Sequence, residues 1–327
     1  MITGYWGTIW RQFKKNRMAV AGLVVVVILF AIALTAPILA NNRPYIYIRD
    51  GRVYFPLFIQ YEEFRDADLR SDRYPGFKIF PPVRYSYSEY DLGSVVSPPS
   101  AKHLLGTDEQ GRDLLARMIH GSRVSIFIGF IAVSIYVAIG IIIGAIAGYY
   151  GGWIDMAISR FIEIVMCFPT FFLILTILAL VGPSLTSVMV VIGLTGWTGI
   201  ARIVRGEFLK LREADFVVAS RALGARDAWI IVRHVLPNSL APVLVSATFG
   251  IASTILIESS LSFLGFGVQP PTPSWGDILS QSRDFMDFAW WLTIIPGMAI
   301  FITITAYNLV GEGLQDAIDP KSLSRNR

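Results

Sequence analysis

MAVAGLVVVVILFAIALTAPILA, Met18–Ala40, contains no charged residue. As a helix this run is about 35 Å long, enough to cross a hydrocarbon core of about 30 Å. It follows Arg11, Lys14, Lys15 and Arg17, a charge order shared with signal peptides. A signal peptide's apolar region is only about 7–15 residues long, so an uncleaved spanning helix is expected. Working outward, five more runs obey the same rule: Ser125–Gly148, Phe161–Val181, Leu185–Ile203, Leu240–Leu264 and Ala289–Leu309. None shows the ten-residue alternation of a membrane barrel, and backbone in lipid must satisfy itself, so an all-α membrane protein with six transmembrane helices is expected. Composition agrees. Of the 327 residues, 54% are hydrophobic and only 16% charged, too little polar surface for a soluble protein of this size. The net charge of +4 fits Lys/Arg-rich loops rather than a nucleic-acid surface. The single cysteine, Cys167, lies in an apolar run and cannot form an internal disulfide.

Basic residues orient the spans. Four precede the first. Seven lie in Ala201–Pro237 (Arg202, Arg205, Lys210, Arg212, Arg221, Arg226, Arg233), and the tail carries Lys321, Arg325 and Arg327. Six crossings put these three segments on one side, which the positive-inside rule makes the cytoplasm. Arg112, Arg117 and Arg123 then fall outside, against the rule, in a long segment of the kind that translocates largely regardless of charge. The domain reading is a cytoplasmic N-terminal segment 1–17, a first span 18–40, an external insert 41–123, a five-helix core 124–312 with a cytoplasmic loop 204–237, and a cytoplasmic tail 313–327. Within the insert, Tyr45–Ile48 and Val53–Phe58 flank Asp50-Gly51, a hairpin signal, while Pro75, Pro81, Pro82, Pro98 and Pro99 break regular structure. A small β-containing insert over the outer mouth is expected, serving either as a loop without partners or as a partner contact.

The loop between the fourth and fifth runs reads LREADFVVASRALGARDAWIIVRHVLPNSLAP, Leu211–Pro242. Phe216, Ala219 and Leu223 recur at helical spacing, beside the small Ser220. Gly224 can adopt the left-handed conformation that ends a helix, Asp227 can cap a second one, and Pro237 can close the unit. Two short helices at an angle outside the bilayer are expected.

This stretch resembles the loop E-A-A-x3-G-x9-I-x-L-P of ABC importer permeases. Ala219, Gly224, Leu236 and Pro237 match in register, while Val218, Ser220 and His234 depart from it. The departures resemble the oligopeptide/dipeptide branch, with SRALGA at Ser220–Ala225 and RHVLPN at Arg233–Asn238. HLLGTDEQGRD (His103–Asp113), Gly121-Ser122-Arg123, ESSLSFLGFG (Glu258–Gly267), PPTPSWG (Pro270–Gly276) and NLVGEGLQDAIDP (Asn308–Pro320) are similar to further motifs of that family. The long insert resembles that of microcin C and related peptide permeases. The resemblance implies the MetI-like permease fold and a pore shared with a homologous permease subunit. It also implies two ABC ATPase subunits, an external substrate-binding protein, and residence in a bacterial inner membrane. It assigns ATPase contact to Asp215–Arg226, within an ATPase-coupling loop that comprises Asp215, Ala219, Ser220, Leu223, Gly224, Ala225, Arg226, Leu236 and Pro237; an amphipathic helix at the membrane surface is the alternative. Nickel or another small solute could replace peptide as cargo. A secondary transporter or channel would instead predict paired broken helices and midplane polar groups, and a scaffold without a pore is the third reading.

No GxxxxGK[ST] sequence occurs and no nucleophile–base pattern stands out, so a non-catalytic chain is expected, with ATP and Mg used by partner subunits and no cofactor of its own. Gly140, Gly144 and Gly148 give one helix a small-residue face, for packing within the subunit or between subunits. Glu258, in an apolar run, is a candidate outer gate for a peptide's amino terminus or else a solvated helix-end carboxylate. Glu163 reads as interfacial, Arg160 as an anchor, Pro169 as a kink and Pro183 as a loop break. Trp275, Trp290 and Trp291 read as an outer aromatic belt. His103, His120 and His234 show no ligand spacing to one another or to Cys167, so no metal site is expected.

Overall fold

A computed structural model describes residues 2–65 and 67–318. The tail cations Lys321, Arg325 and Arg327 lie outside the described residues. Twelve α-helices are named here: α1 Ile2–Phe13, α2 Arg17–Leu39, α3 Leu114–Tyr150, α4 Gly152–Met166, α5 Thr170–Val181, α6 Leu185–Thr195, α7 Trp197–Leu211, α8 Asp215–Ala222, α9 Asp227–Ile230, α10 Leu236–Phe263, α11 Trp275–Gln281 and α12 Trp290–Ile318. Among the described residues, five stretches are long and apolar enough to cross a membrane: α2, α3, α6 with α7, α9 through α10, and α12. The expected third span is a pair, α4 and α5, bent by 77°. Pro169 stands at the break as the residue before α5, where its missing N–H costs nothing. α3 starts at Leu114, well before the apolar run at Ser125.

The described chain divides into two compact units. Among the described residues, one comprises 2–26, 128–257 and 303–318, the other 27–127 and 258–302. In the first, α3 meets α7 through glycine. A Cβ at Gly140 would lie 2.6 Å from the Ile200 Cβ, and one at Gly148 would lie 2.6 Å from the Arg205 carbonyl and the Phe208 Cβ. Only hydrogen fits there, so the two backbones approach closely. Ile200, Ala201, Val204 and Phe208 are all buried in the resulting core.

The second unit holds a three-stranded sheet ordered β2-β1-β3: β1 Ile46–Arg49, β2 Arg52–Tyr54 and β3 Phe77–Ile79. β1 and β2 are antiparallel with Arg49 opposite Arg52. The two loop residues, Asp50 (φ 52°) and Gly51 (φ 75°), are both left-handed, as a type I′ turn demands. Tyr47, Phe64 and Leu69 form the insert's core, with Tyr47 and Phe64 edge-to-face at 5.4 Å.

The same unit accounts for two of the three arginines that fell against the rule, while the third, Arg123, is exposed. Arg112 and Arg117 are 1% exposed and lie among carboxylates. Arg112 Nε donates to Asp108 Oδ2 at 2.7 Å, Arg117 Nη2 donates to Asp277 Oδ2 at 2.8 Å, and Arg117 Nε stands 3.2 Å from Asp108. Gln281 donates to Asp277 at 3.1 Å and accepts from Arg112 at 3.3 Å. Paired in this way they present no free positive charge. Burial pushes the Asp277 carboxyl up from its ordinary value, and the Arg117 guanidinium opposes that shift. The aromatic belt needs correction. Trp275 and Trp291 are buried and donate from Nε1 to the Met118 and Thr107 carbonyls at 3.1 Å, and of the three only Trp290 is exposed. An indole N–H inside the fold takes a carbonyl partner, which outweighs the interfacial preference.

Candidate coupling elbow and transmembrane cavity

α8 ends as the sequence suggests. Gly224 is left-handed (φ 80°), the Ala225 N–H donates to the Ser220 carbonyl, and the Gly224 N–H donates to that of Arg221. This is a Schellman motif. Beyond it the structure corrects two expectations. Asp227 is the first residue of α9 and makes no capping bond; Arg226 holds the cap position, and the Asp227 carboxylate accepts from the Tyr149 hydroxyl at 2.7 Å. Pro237 does not close the unit. α9 runs through a π-helical turn, Ile231–Val235, into α10, so Asp227–Phe263 is one continuous helix. In that turn the Leu236 N–H reaches the Ile231 carbonyl, and Asn238 Nδ2 donates to the His234 carbonyl at 2.6 Å. The wider turn relieves the clash that a proline ring makes with the carbonyl four residues back.

The elbow is held from one side and bare on the other. Val217, Ile230 and Val235 are buried with Phe208, while Ala225 and Leu236 pack partly against the same core. Arg221 donates to the Tyr149 hydroxyl at 3.3 Å and lies 5.7 Å over its ring; this bond holds the guanidinium pKa above its ordinary value. Tyr149, near the end of α3, thus ties α8 to α9. The stripe read from the sequence faces outward: Phe216 is 41% exposed, Leu223 88%, and Ala219 is exposed between them; Val218, not part of that stripe, is 52% exposed. Ser220 is half-buried, its hydroxyl donating to the Phe216 carbonyl at 2.7 Å. Asp215, at the start of α8, and Arg226, at the cap position of α9, are both exposed.

Sequence reading missed a cavity of about 310 Å³ in the same unit. Tyr136, Thr170, Thr195, Ser246, Ser253 and Thr254 bring hydroxyls to it, Ile174 and Phe249 bring apolar surface, and among the described residues no charged side chain lines it. Tyr136 is seated between two glycines. A Cβ at Gly196 would lie 2.8 Å from its ring, and one at Gly250 would overlap its hydroxyl. The available signal was the lone phenol inside the run Ser125–Gly148. Glu258 is fully buried, with Oε1 accepting from Ser262 at 2.8 Å, so the solvated helix-end reading does not hold. Glu163 is exposed and paired with Arg160 at 2.7 Å.

Spanning helices, a bent pair and a hydroxyl-lined cavity define a multi-pass membrane protein. Residues 140–323 match the family model described as "binding-protein-dependent transport system inner membrane component", and residues 4–58 match "N-terminal TM domain of oligopeptide transport permease C". Among relatives, the dipeptide transport system permease protein DppC of Alkalihalophilus pseudofirmus is 36% identical, over 98% of this chain and 91% of its own. The inner membrane ABC transporter permease protein YejE of Escherichia coli is 34% identical, over 95% of this chain and 96% of its own. A solved inward-facing structure of the MetNI methionine ABC transporter superposes with a TM-score of 0.52 at 19% identity, covering 63% of this chain and 98% of that one, which shows the shared MetI-like fold. The chain belongs to the inner-membrane permeases of binding-protein-dependent ABC transport systems, in their oligopeptide/dipeptide branch.

Proposed function

We propose that this chain is one of two homologous pore subunits of an ATP-driven importer of dipeptides or short oligopeptides. It is fed by an external substrate-binding protein and driven by two ATPase subunits that bind ATP and Mg. Both termini and the elbow lie in the cytoplasm, where α8 docks on an ATPase. One observation carries the reading: α8 turns Phe216, Val218, Ala219 and Leu223 to solvent on a base anchored by Val217 and Tyr149. An apolar knob on a braced support is suited to a pocket on a partner and to passing on that partner's motion.

The cavity favours a peptide cargo. Its hydroxyls can exchange hydrogen bonds with any peptide backbone, and the absence of charge in its lining selects for no side chain. The names of the curated relatives point the same way. A nickel or other small-solute permease is the second reading within the class. The test is the chain reconstituted with its ATPases and binding protein in proteoliposomes. A di- or tripeptide should stimulate ATP hydrolysis and accumulate inside; stimulation by nickel alone would favour the second reading. Accumulation by the chain without ATPase subunits would overturn the assignment in favour of a secondary transporter.

A further inference from the structure

Within the N-terminal segment 1–17, Ile2–Phe13 is a helix. Its faces differ in chemistry. Ile9 and Phe13 are buried against Ala19 of α2 and Ala317 of α12. Trp10 is half exposed, stacked on Phe13 at 5.7 Å, with the Lys14 ammonium 5.6 Å over its ring. Arg11, Lys14, Lys15 and Arg17 are all exposed, and none forms an ion pair among the described residues. No Asp or Glu occurs before Asp50.

Depth follows from chain continuity. α2 begins at Arg17, and its apolar run begins at Met18. The four cations therefore sit within about two helical turns of the hydrocarbon edge, at headgroup level, with Trp10 among them. A headgroup-level helix with one face held by protein, an amphipathic ring at the boundary and uncompensated charge complements an anionic lipid surface. We propose that α1 and the start of α2 form a binding surface for anionic phospholipid, in which Arg11, Lys14 and Lys15 hold headgroup phosphates and Trp10 seats the helix at the acyl boundary. This needs only that α2 cross a membrane and is independent of what the chain transports.

The test uses the full chain reconstituted in phosphatidylcholine with trace spin-labelled phosphatidylglycerol or phosphatidylcholine, reading the fraction of each lipid immobilised at the protein. Phosphatidylglycerol should be preferred about threefold, and the preference should fall toward unity in about 0.5 M salt. The variant Arg11→Gln/Lys14→Gln/Lys15→Gln, which keeps Arg17, should lose it. Arg226→Gln, in the elbow, should keep it. Equal immobilisation of both lipids by the unmodified chain would overturn the proposal, and so would a preference that survives the triple variant. If that variant fails to reconstitute, the salt series on the unmodified chain decides: a preference indifferent to salt is not electrostatic. A preference abolished by excess inorganic phosphate would mean a phosphate pocket rather than a lipid surface, and would equally overturn it.

Discussion

Leu223→Asp is expected to abolish peptide uptake while leaving the chain folded and membrane-inserted. Leu223 is 88% exposed and follows the last turn of α8, so its side chain contributes little to the subunit's own stability. Surface substitutions of this kind stay within about 0.5 kcal/mol. Docked in an apolar pocket, the same position becomes an anchor, and burying a carboxylate there costs at least about 2 kcal/mol, roughly thirtyfold in the docking equilibrium. Co-purification of the ATPase should fall with uptake, while the melting temperature of the isolated chain stays unchanged. Gly224→Ala provides a graded comparison. No atom lies within 4 Å of the site a Cβ would occupy, so the only penalty is the left-handed φ of 80°, about 1 kcal/mol. Uptake should fall by less than in Leu223→Asp. Unchanged uptake in Leu223→Asp would remove α8 from the coupling path.

The second large effect is expected at Asp277. Its carboxylate is the hydrogen-bonded partner of Arg117, and both side chains are nearly or fully enclosed. Asp277→Ala leaves a guanidinium inside the fold with Asp108 alone, a carboxylate it shares with Arg112. Breaking a buried pair from one side costs about 3–5 kcal/mol. The purified chain should melt well below its parent or fail to accumulate. Asp277→Asn keeps an acceptor toward Arg117 Nη2 and should lose less. Equal stability of Asp277→Ala and its parent would mean that Asp108 suffices for both arginines.

What the sequence disclosed followed from local chemistry. Asp50-Gly51 gave the hairpin turn, because both residues tolerate its left-handed backbone, while the strand ends at Arg49 and Arg52 appear only in the structure. Gly224 gave the end of α8 for the same reason. What it hid depended on distant partners. β3 lies between Pro75 and Pro81 and exists because Ile46, Tyr47 and Ile48 pair with it. Arg117 looked like a charge on the wrong side, since its partner Asp277 is 160 residues away. α1 is too short to be stable alone and is held by Ile9 and Phe13 against α2 and α12. Pro237 was misread as a stop because a π turn is invisible to a rule built on the α-helical register. The cavity hydroxyls come from four different runs of chain, none distinctive by itself.

The proposed contact between α8 and an ATPase is tested most directly by placing a photo-activatable cross-linking residue at Leu223 in the assembled transporter within native membranes. The expected result is one adduct with the ATP-hydrolysing subunit whose yield changes on adding ATP. Labelling of the same position by an impermeant reagent from outside intact cells, with no ATPase adduct, would contradict the account.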